Sequence, residues 1–386
     1  MRKLRSGLLI SALFFLSLGL LAYGQARPRA RDLGIPFDGA PGPLNAITDV
    51  KGVEVGHTTL ISGEGKLQVG VGPVRTGVTA ILPRGRNFTD RVFAAWSALN
   101  GNGEMTGTAW LEDSGFLDGP VMITTTHSVG AVRDAVIAWR VKQAPPDDEG
   151  YWWSLPVVAE TWDGTLNDAN GFHVRPEHVF HALDTARGGP VEEGNVGGGT
   201  GMICHGFKGG IGTSSRTVDL KEGSYTVGVL AQCNYGVRGE LRIAGVPVGR
   251  EIPDEHEVGS GDTGSIIVVV ATDAPLIPTQ LKRVARRVPL GLGRNGSYSG
   301  DGSGDIFLAF STANPEAAGS RGLHQITMLP NGQLDPIFLA TVQATEEAVV
   351  NALVAARTMT GANNRTVVAL PHERVREILR KYNRIR

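Results

Sequence analysis

The chain has 386 residues, 41% hydrophobic and 19% charged, with 53 glycines, 21 prolines and a formal net charge of −1. That balance is globular and rich in turns, and it excludes the basic field of a nucleic-acid or polyanion binder. The length admits two or three domains or one large α/β domain.

Taken in order, Arg2, Lys3 and Arg5 precede an apolar stretch over 7–22, and Ala22-Tyr23-Gly24 offers small residues where a signal peptidase cuts. Residues 1–24 are therefore expected to be a secretory signal, giving a periplasmic or secreted protein with no membrane attachment once the signal is removed. The competing reading is a retained anchor, against which the run is near the lower length limit for spanning. No later stretch is expected to reach the length of a membrane span. Residues 25–45 read as an irregular Pro/Gly/Arg-rich arm. Strands are expected at 53–57, 69–74 and 78–82, then a helix over 90–99 with Asp90 as its N-cap. A glycine-rich turn at 100–107 and a strand at 121–125 lead to a helix over 128–141, where Val129, Val132, Val136, Ile137 and Val141 recur at helical spacing.

Beyond a turn at 145–150 come a strand at 155–160, a short helix at 178–186 and the densest glycine stretch, 194–216. Strands at 225–233 and from Ser265 follow, then a basic helix over 278–288, a strand at 306–310 and helices over 335–357 and 372–382. Strands and helices interleave without a strict alternating rhythm, which implies sheets layered against helices with mixed strand directions. The two cysteines, Cys204 and Cys233, are too few for a disulfide framework; beside apolar runs they read as buried thiols at least as readily as a bridge.

One junction organises the rest. The polar, glycine-rich segment EIPDEHEVGSGDTG ends at Gly264, and SIIVVV begins at Ser265. A Gly-Ser peptide has a built-in route to scission: the serine hydroxyl attacks the preceding carbonyl, the acyl group moves from nitrogen to oxygen, and water hydrolyses the ester. Glycine before the cut tolerates the strained backbone this needs. The α-amine released titrates near pH 8, far below a lysine, so it can accept the proton of its own hydroxyl. On residues alone the segment also reads as an ordinary loop-to-strand junction, because Gly-Ser occurs six times in the chain.

The segment DTGSIIVVVATDAPLIPTQLKRVARR resembles the start of the small subunit in the L-aminopeptidase/D-esterase family of self-processing peptidases, which includes the β-aminopeptidases. AAWSALNGNGEMTG, SLPVVAETWDGTLND, GNVGGGTGMICHGFKGGIGTSSR and GSGDIFLAFSTAN resemble the same family in the same order, so the likeness runs from about residue 47 to the end. It implies a four-layer αββα sandwich in one catalytic domain, 46–386, cut into chains 25–264 and 265–386 and assembled as a homotetramer of such pairs. It implies Ser265 as nucleophile, supported by Ser303 and Asp305, with Asn234 donating to the oxyanion and Glu160 holding the substrate's free amine. Apart from the resemblance, Ser303 and Asp305 read as a turn, and Asn234 and Glu160 as strand-end polar residues. Where some members carry a tyrosine that assists the oxyanion, this chain has Trp162, whose indole donates one N–H from a different reach.

The implied activity is removal of N-terminal residues from short peptides, aminoacyl amides or esters, with no cofactor and no metal. Rival readings are an acyltransferase of the ornithine acetyltransferase type, disfavoured because that group uses threonine after the cut, and an uncleaved, non-catalytic exported binding protein. GLGRNG at 291–296 fits a dinucleotide fingerprint by letter but follows a helix, the 194–212 run lacks GK[ST], and the histidines form neither HExxH nor a GxSxG-linked triad.

Overall fold

The chain's apolar β-branched runs become the strands of two sheets. The computed structural model describes residues 28–86, 90–143, 153–252, 262, 264–319 and 321–386. The expected signal at 1–24, the turn at 145–150 and most of the polar segment before Gly264 lie outside the described residues. In order, the first part comprises β1 (Glu54–Ser62), β2 (Val74–Leu82), β3 (Val92–Gly101), α1 (Thr108–Ser114), β4 (Phe116–Leu117), β5 (Val121–Thr125), α2 (Val129–Gln143), β6 (Val157–Thr161) and α3 (Pro176–Asp184). The second comprises β7 (Ile203–Cys204), β8 (Phe207–Lys208), β9 (Gly210–Leu220), β10 (Gly223–Asn234), α4 (Val248–Glu251), β11 (Ser265–Thr272), α5 (Pro278–Ala285), α6 (Val288–Arg294), β12 (Gly304–Ser311), α7 (Asp335–Ala355) and α8 (His372–Lys381).

The smaller main sheet runs β1-β2-β5-β6 and the larger β4-β3-β12-β11-β10-β9, while β7 and β8 pair as a separate two-stranded ribbon. The β5/β6 and β11/β12 pairs are parallel and the remaining pairs within these two sheets antiparallel. Ile81, Ile123 and Val157 of the smaller sheet share a core with Leu230, Ile267, Val269 and Leu308 of the larger. On its other face the smaller sheet packs Val78, Met122 and Val158 against Val132 and Val136 of α2 and Val179 of α3. The larger sheet packs Val229, Val268 and Phe307 against Leu281 of α5 and Val349 and Leu353 of α7.

β11 lies inside the larger sheet with all eight residues buried. Its alternate residues serve different cores, Ile266, Val268 and Val270 one and Ile267, Val269 and Ala271 the other. A strand apolar on both faces reads as an unbroken hydrophobic run, as it does here.

The helix expected over 90–99 is instead strand β3 from Val92 onward, paired with β12 on one side and β4 on the other. Phe93 and Ala95 enter one core while Val92 and Ala94 enter the other. Burial on both faces overrides the helical propensity of its alanines, and a short apolar run carries no periodicity to tell the two apart. The expected strand at 69–74 is a turn closed between Gln68 and Gly72, with Val69 and Val71 63% and 67% exposed, and the strand begins only at Val74. The glycine stretch hides β9, where a side chain at Gly212 would collide with the Ala348 carbonyl oxygen of α7. The described part of the arm is irregular apart from a turn at Ala30–Leu33, yet tied down: Arg29 pairs with Glu193, and Arg31 and Asn45 bind Glu347.

α7 corrects the expectation that no later stretch has membrane-spanning length. An 18-residue window of this 21-residue helix, at a mean hydropathy of 1.3, is long and apolar enough to cross a bilayer, but 83% of that window is buried against the protein.

Candidate active site

Ser265 opens β11, directly opposite Asn234, the last residue of β10, and beside Gly304, the first residue of β12. Residues paired across a sheet point to one face, so the Asn234 amide and the Ser265 hydroxyl share a face. Ile267 and Leu230, which have the same parity, place that face between the two sheets. The Gly304 N–H lies 3.2 Å from Ser265 Oγ and 3.3 Å from the carbonyl oxygen of Gly264, donating to both. One amide thus holds the hydroxyl and the carbonyl that precedes it. Gly264 is itself pressed on the backbone: any Cβ there would collide with the Asn234 carbonyl oxygen.

The orientation of Asn234 is fixed from both ends. Its Oδ1 accepts from the Ile203 N–H at 2.8 Å and its Nδ2 donates to the Trp162 carbonyl at 2.8 Å. A backbone donor on one side and a backbone acceptor on the other leave one assignment of the amide. The second Nδ2 hydrogen remains available on the face shared with Ser265.

Glu160 comes from the facing sheet, near the end of β6, and is 3% exposed. Its Oε1 accepts from the Glu104 N–H at 2.9 Å and its Oε2 from the Thr126 hydroxyl. Gly103 separates this carboxylate from the β12 start, since a Cβ there would stand 3.2 Å from Gly304 Cα and 3.3 Å from Glu160 Oε1. Burial raises the Glu160 carboxyl above the usual carboxylate range, opposed by the Thr126 and Glu104 hydrogen bonds and by His127. A buried carboxylate with two donors on the protein side is suited to receive a cation on the other.

Ser303 and Asp305 are both fully buried, and Ser303 Oγ donates to Asp305 Oδ1 at 2.8 Å. Strand alternation sends Asp305 to the face of Phe307 and Ile266, opposite the Ser265 hydroxyl. Burial raises the Asp305 carboxyl, with the Ser299 and Ser303 hydroxyls and the Ile266 amide acting against it, and Asp262 adding to the rise. Its Oδ2 has no hydrogen-bond partner among the described residues. The turn leading into this pair is not free to wander: Asn100 donates to the Gly300 carbonyl at 2.5 Å, Asn102 to the Gly302 carbonyl at 2.8 Å, and Asp262 Oδ2 accepts from the Gly300 N–H at 3.2 Å.

Trp162 is 40% exposed, with its indole lying over Gly164 and edge-on to His127 at 5.3 Å. Its backbone carbonyl, more than its side chain, is what touches the expected oxyanion donor. The structure therefore brings Ser265, Gly264, Asn234, Ser303 and Asp305 to one strand end, and sets Glu160 opposite on the facing sheet with Trp162 just past the end of its strand. Cys204 and Cys233 are buried free thiols beside it, and burial pushes the Cys233 thiol well up.

Several contributors escaped the sequence reading. The amides of Gly304, Glu104 and Ile203 are backbone groups that no motif marks. Thr126 and Gly103 lie in stretches read only as a strand end and a turn. Asp262, in the segment read only as polar and glycine-rich, accepts from the N–H groups of both Gly236 and Gly300; an acid two residues before the Gly-Ser step was the available signal.

The model of peptidase family S58 matches residues 45–367. The chain is 56% identical to the beta-peptidyl aminopeptidase BapA of Sphingosinicella microcystinivorans, covering 95% of this chain and 96% of that one. Among solved structures, the L-aminopeptidase D-Ala-esterase/amidase of Ochrobactrum anthropi, described as a variant of the Ntn hydrolase fold, superposes with a TM-score of 0.87 at 50% identity, covering 93% of this chain and 100% of that one. A beta-aminopeptidase of a Burkholderia species gives a TM-score of 0.84 at 47% identity, covering 92% and 99%.

Proposed function

The chain belongs to peptidase family S58 and is an aminopeptidase, a hydrolase of peptides; from that premise we propose an exported enzyme that cuts itself between Gly264 and Ser265 and then works through Ser265. Membership of a hydrolase family sets aside the acyltransferase and non-catalytic readings. The observation that carries the proposal is the Gly304 amide, which holds the Ser265 hydroxyl and the Gly264 carbonyl together.

In the uncut chain Ser265 Oγ attacks the Gly264 carbonyl carbon, and the Gly304 N–H stabilises the oxyanion. The C–N bond breaks as the amide nitrogen takes a proton, leaving an ester, and water hydrolyses that ester to a Gly264 carboxylate and a free Ser265 amine. Before the cut, Asp305 Oδ2 is a buried acceptor with no donor in hydrogen-bonding geometry among the described residues. The new ammonium supplies a charge for it, so Ser303 and Asp305 serve the amine, while Asn234 serves the hydroxyl face.

In turnover the substrate's ammonium rests on Glu160 and its carbonyl carbon meets Ser265 Oγ, whose proton passes to the Ser265 amine. The free Nδ2 hydrogen of Asn234 and the Gly304 N–H receive the oxyanion. The amine then protonates the leaving group, and water releases the acyl-enzyme by the reverse sequence. No metal or cofactor enters. Because the Sphingosinicella and Burkholderia relatives are named as beta-aminopeptidases, short peptides opening with a β-amino acid are the favoured substrates.

Helices on the outer faces of two facing sheets support the four-layer αββα arrangement in a single domain, 46–386, with chains 25–264 and 265–386 staying together because β11 is central to the larger sheet. Assembly as a homotetramer and export through residues 1–24 complete the proposal. Purified Ser265→Ala is the direct test: it should remain one uncut chain and hydrolyse no aminoacyl p-nitroanilide, and full turnover by that variant would overturn the reading.

A further inference from the structure

Two groups assigned above to the substrate are tied to a cluster of aromatic rings that the chemistry does not use. The residue after Thr126, which holds Glu160, is His127. Trp162, whose carbonyl holds Asn234, stands edge-on to that imidazole, with ring centroids 5.3 Å apart. Phe172 stacks with His127 as well, at 6.2 Å and 21°. The three rings therefore form one cluster, joined through Thr126 to the amine-binding carboxylate and through the Trp162 backbone to the oxyanion donor, with Trp162 40% and Phe172 63% exposed.

Phe172 is held there against its backbone preference. It has φ 51° and ψ 49°, left-handed values that an aromatic residue seldom adopts. The turn before it is closed by Asp168, which pairs with His173 at 2.8 Å and accepts from the Gly70 N–H at 2.8 Å. A turn that presents a strained, exposed aromatic ring to the imidazole next to Thr126, the residue that holds Glu160, is a poor solution for burial and a good one for contact with a ligand.

We propose that His127, Trp162 and Phe172 form an aromatic subsite for the side chain of the substrate's N-terminal residue, selecting flat apolar groups such as phenyl. The inference rests on the roles given above to Glu160 and Ser265. An N-terminal residue spans from its ammonium to its scissile carbonyl, so with those two ends on Glu160 and beside Asn234 its side chain departs alongside the rings. Trp162 is in this reading a specificity residue.

The test uses p-nitroanilide pairs that differ only by a phenyl group, phenylalanyl against alanyl and the corresponding β-homo pair, and reads the ratio of kcat/KM within a pair. Phe172→Ala should lower the phenyl-to-methyl ratio roughly five- to tenfold, the scale of a lost aromatic contact, and Phe172→Tyr should restore it. An active enzyme whose ratio stays within twofold of wild type in Phe172→Ala overturns the subsite and leaves the aminopeptidase reading intact. A wild-type enzyme that hydrolyses neither pair overturns that reading and the subsite with it.

Discussion

Glu160→Gln isolates one element of the proposed chemistry, the charge that holds the substrate's amine. The replacement has nearly the same shape. Its amide oxygen still accepts from the Glu104 N–H, and the Thr126 hydroxyl turns to accept from the new NH2 in place of donating to Glu160. With Glu160 only 3% exposed, solvent does not screen what is removed. Exchanging a charge-assisted bond for a neutral contact costs about 1.5–3 kcal/mol, which is roughly 10- to 150-fold in kcat/KM. The pH profile supplies the sign. Burial raises the Glu160 carboxyl, so wild type loses the required carboxylate at a higher pH than a solvent-exposed glutamate would. Log kcat/KM should fall with slope one below the pKa of the Ser265 amine and with slope two below that of Glu160; the variant should keep slope one throughout. Initial rates on an aminoacyl p-nitroanilide across the acidic range decide it. A Glu160→Gln enzyme within threefold of wild type, or one that keeps the second break, refutes the assignment.

Asn234→Ala removes the side-chain oxyanion donor and should lower kcat by about 10²–10³-fold, measured with protein allowed to mature fully. Gly264→Ala forces a Cβ onto the Asn234 carbonyl oxygen, so the uncut chain should accumulate, visible as a slow or absent second band on a denaturing gel. Asp163→Asn tests an electrostatic cost beside the site. The buried Asp163 carboxyl is raised from 3.8 to about 6 by desolvation, so the folded form holds a proton that the unfolded form loses. Stability therefore falls as pH rises between those values and stays lowered above them, by about 1–3 kcal/mol. The asparagine still accepts from Thr125 and Asn167, so its melting temperature should match wild type near about pH 4 and exceed it at neutral pH.

The junction at Ser265 was legible because a polar glycine-rich segment and a doubly buried strand have opposite compositions, and the boundary between them is abrupt. The helices α2, α5, α7 and α8 were legible for the related reason that local periodicity survives in the chain. β3 was not, since its apolar residues serve two cores at once, and that demand comes from β12 and β4, far away in sequence. β9 was hidden because its glycines answer to the backbone of α7, which a local pattern cannot reveal. The site divided in the same way. Ser265, Asn234 and Glu160 could be named from motifs, but the amides of Gly304, Glu104 and Ile203 that orient them carry no side-chain signature. The opposite facing of Asp305 and the Ser265 hydroxyl followed only once the strand register was known.

The intact mass of active enzyme under denaturing conditions bears on all of this most directly. Two chains should appear, one of them beginning Ser265-Ile266-Ile267. A single chain containing an unbroken Gly264–Ser265 bond, in material with full aminopeptidase turnover, would contradict the account.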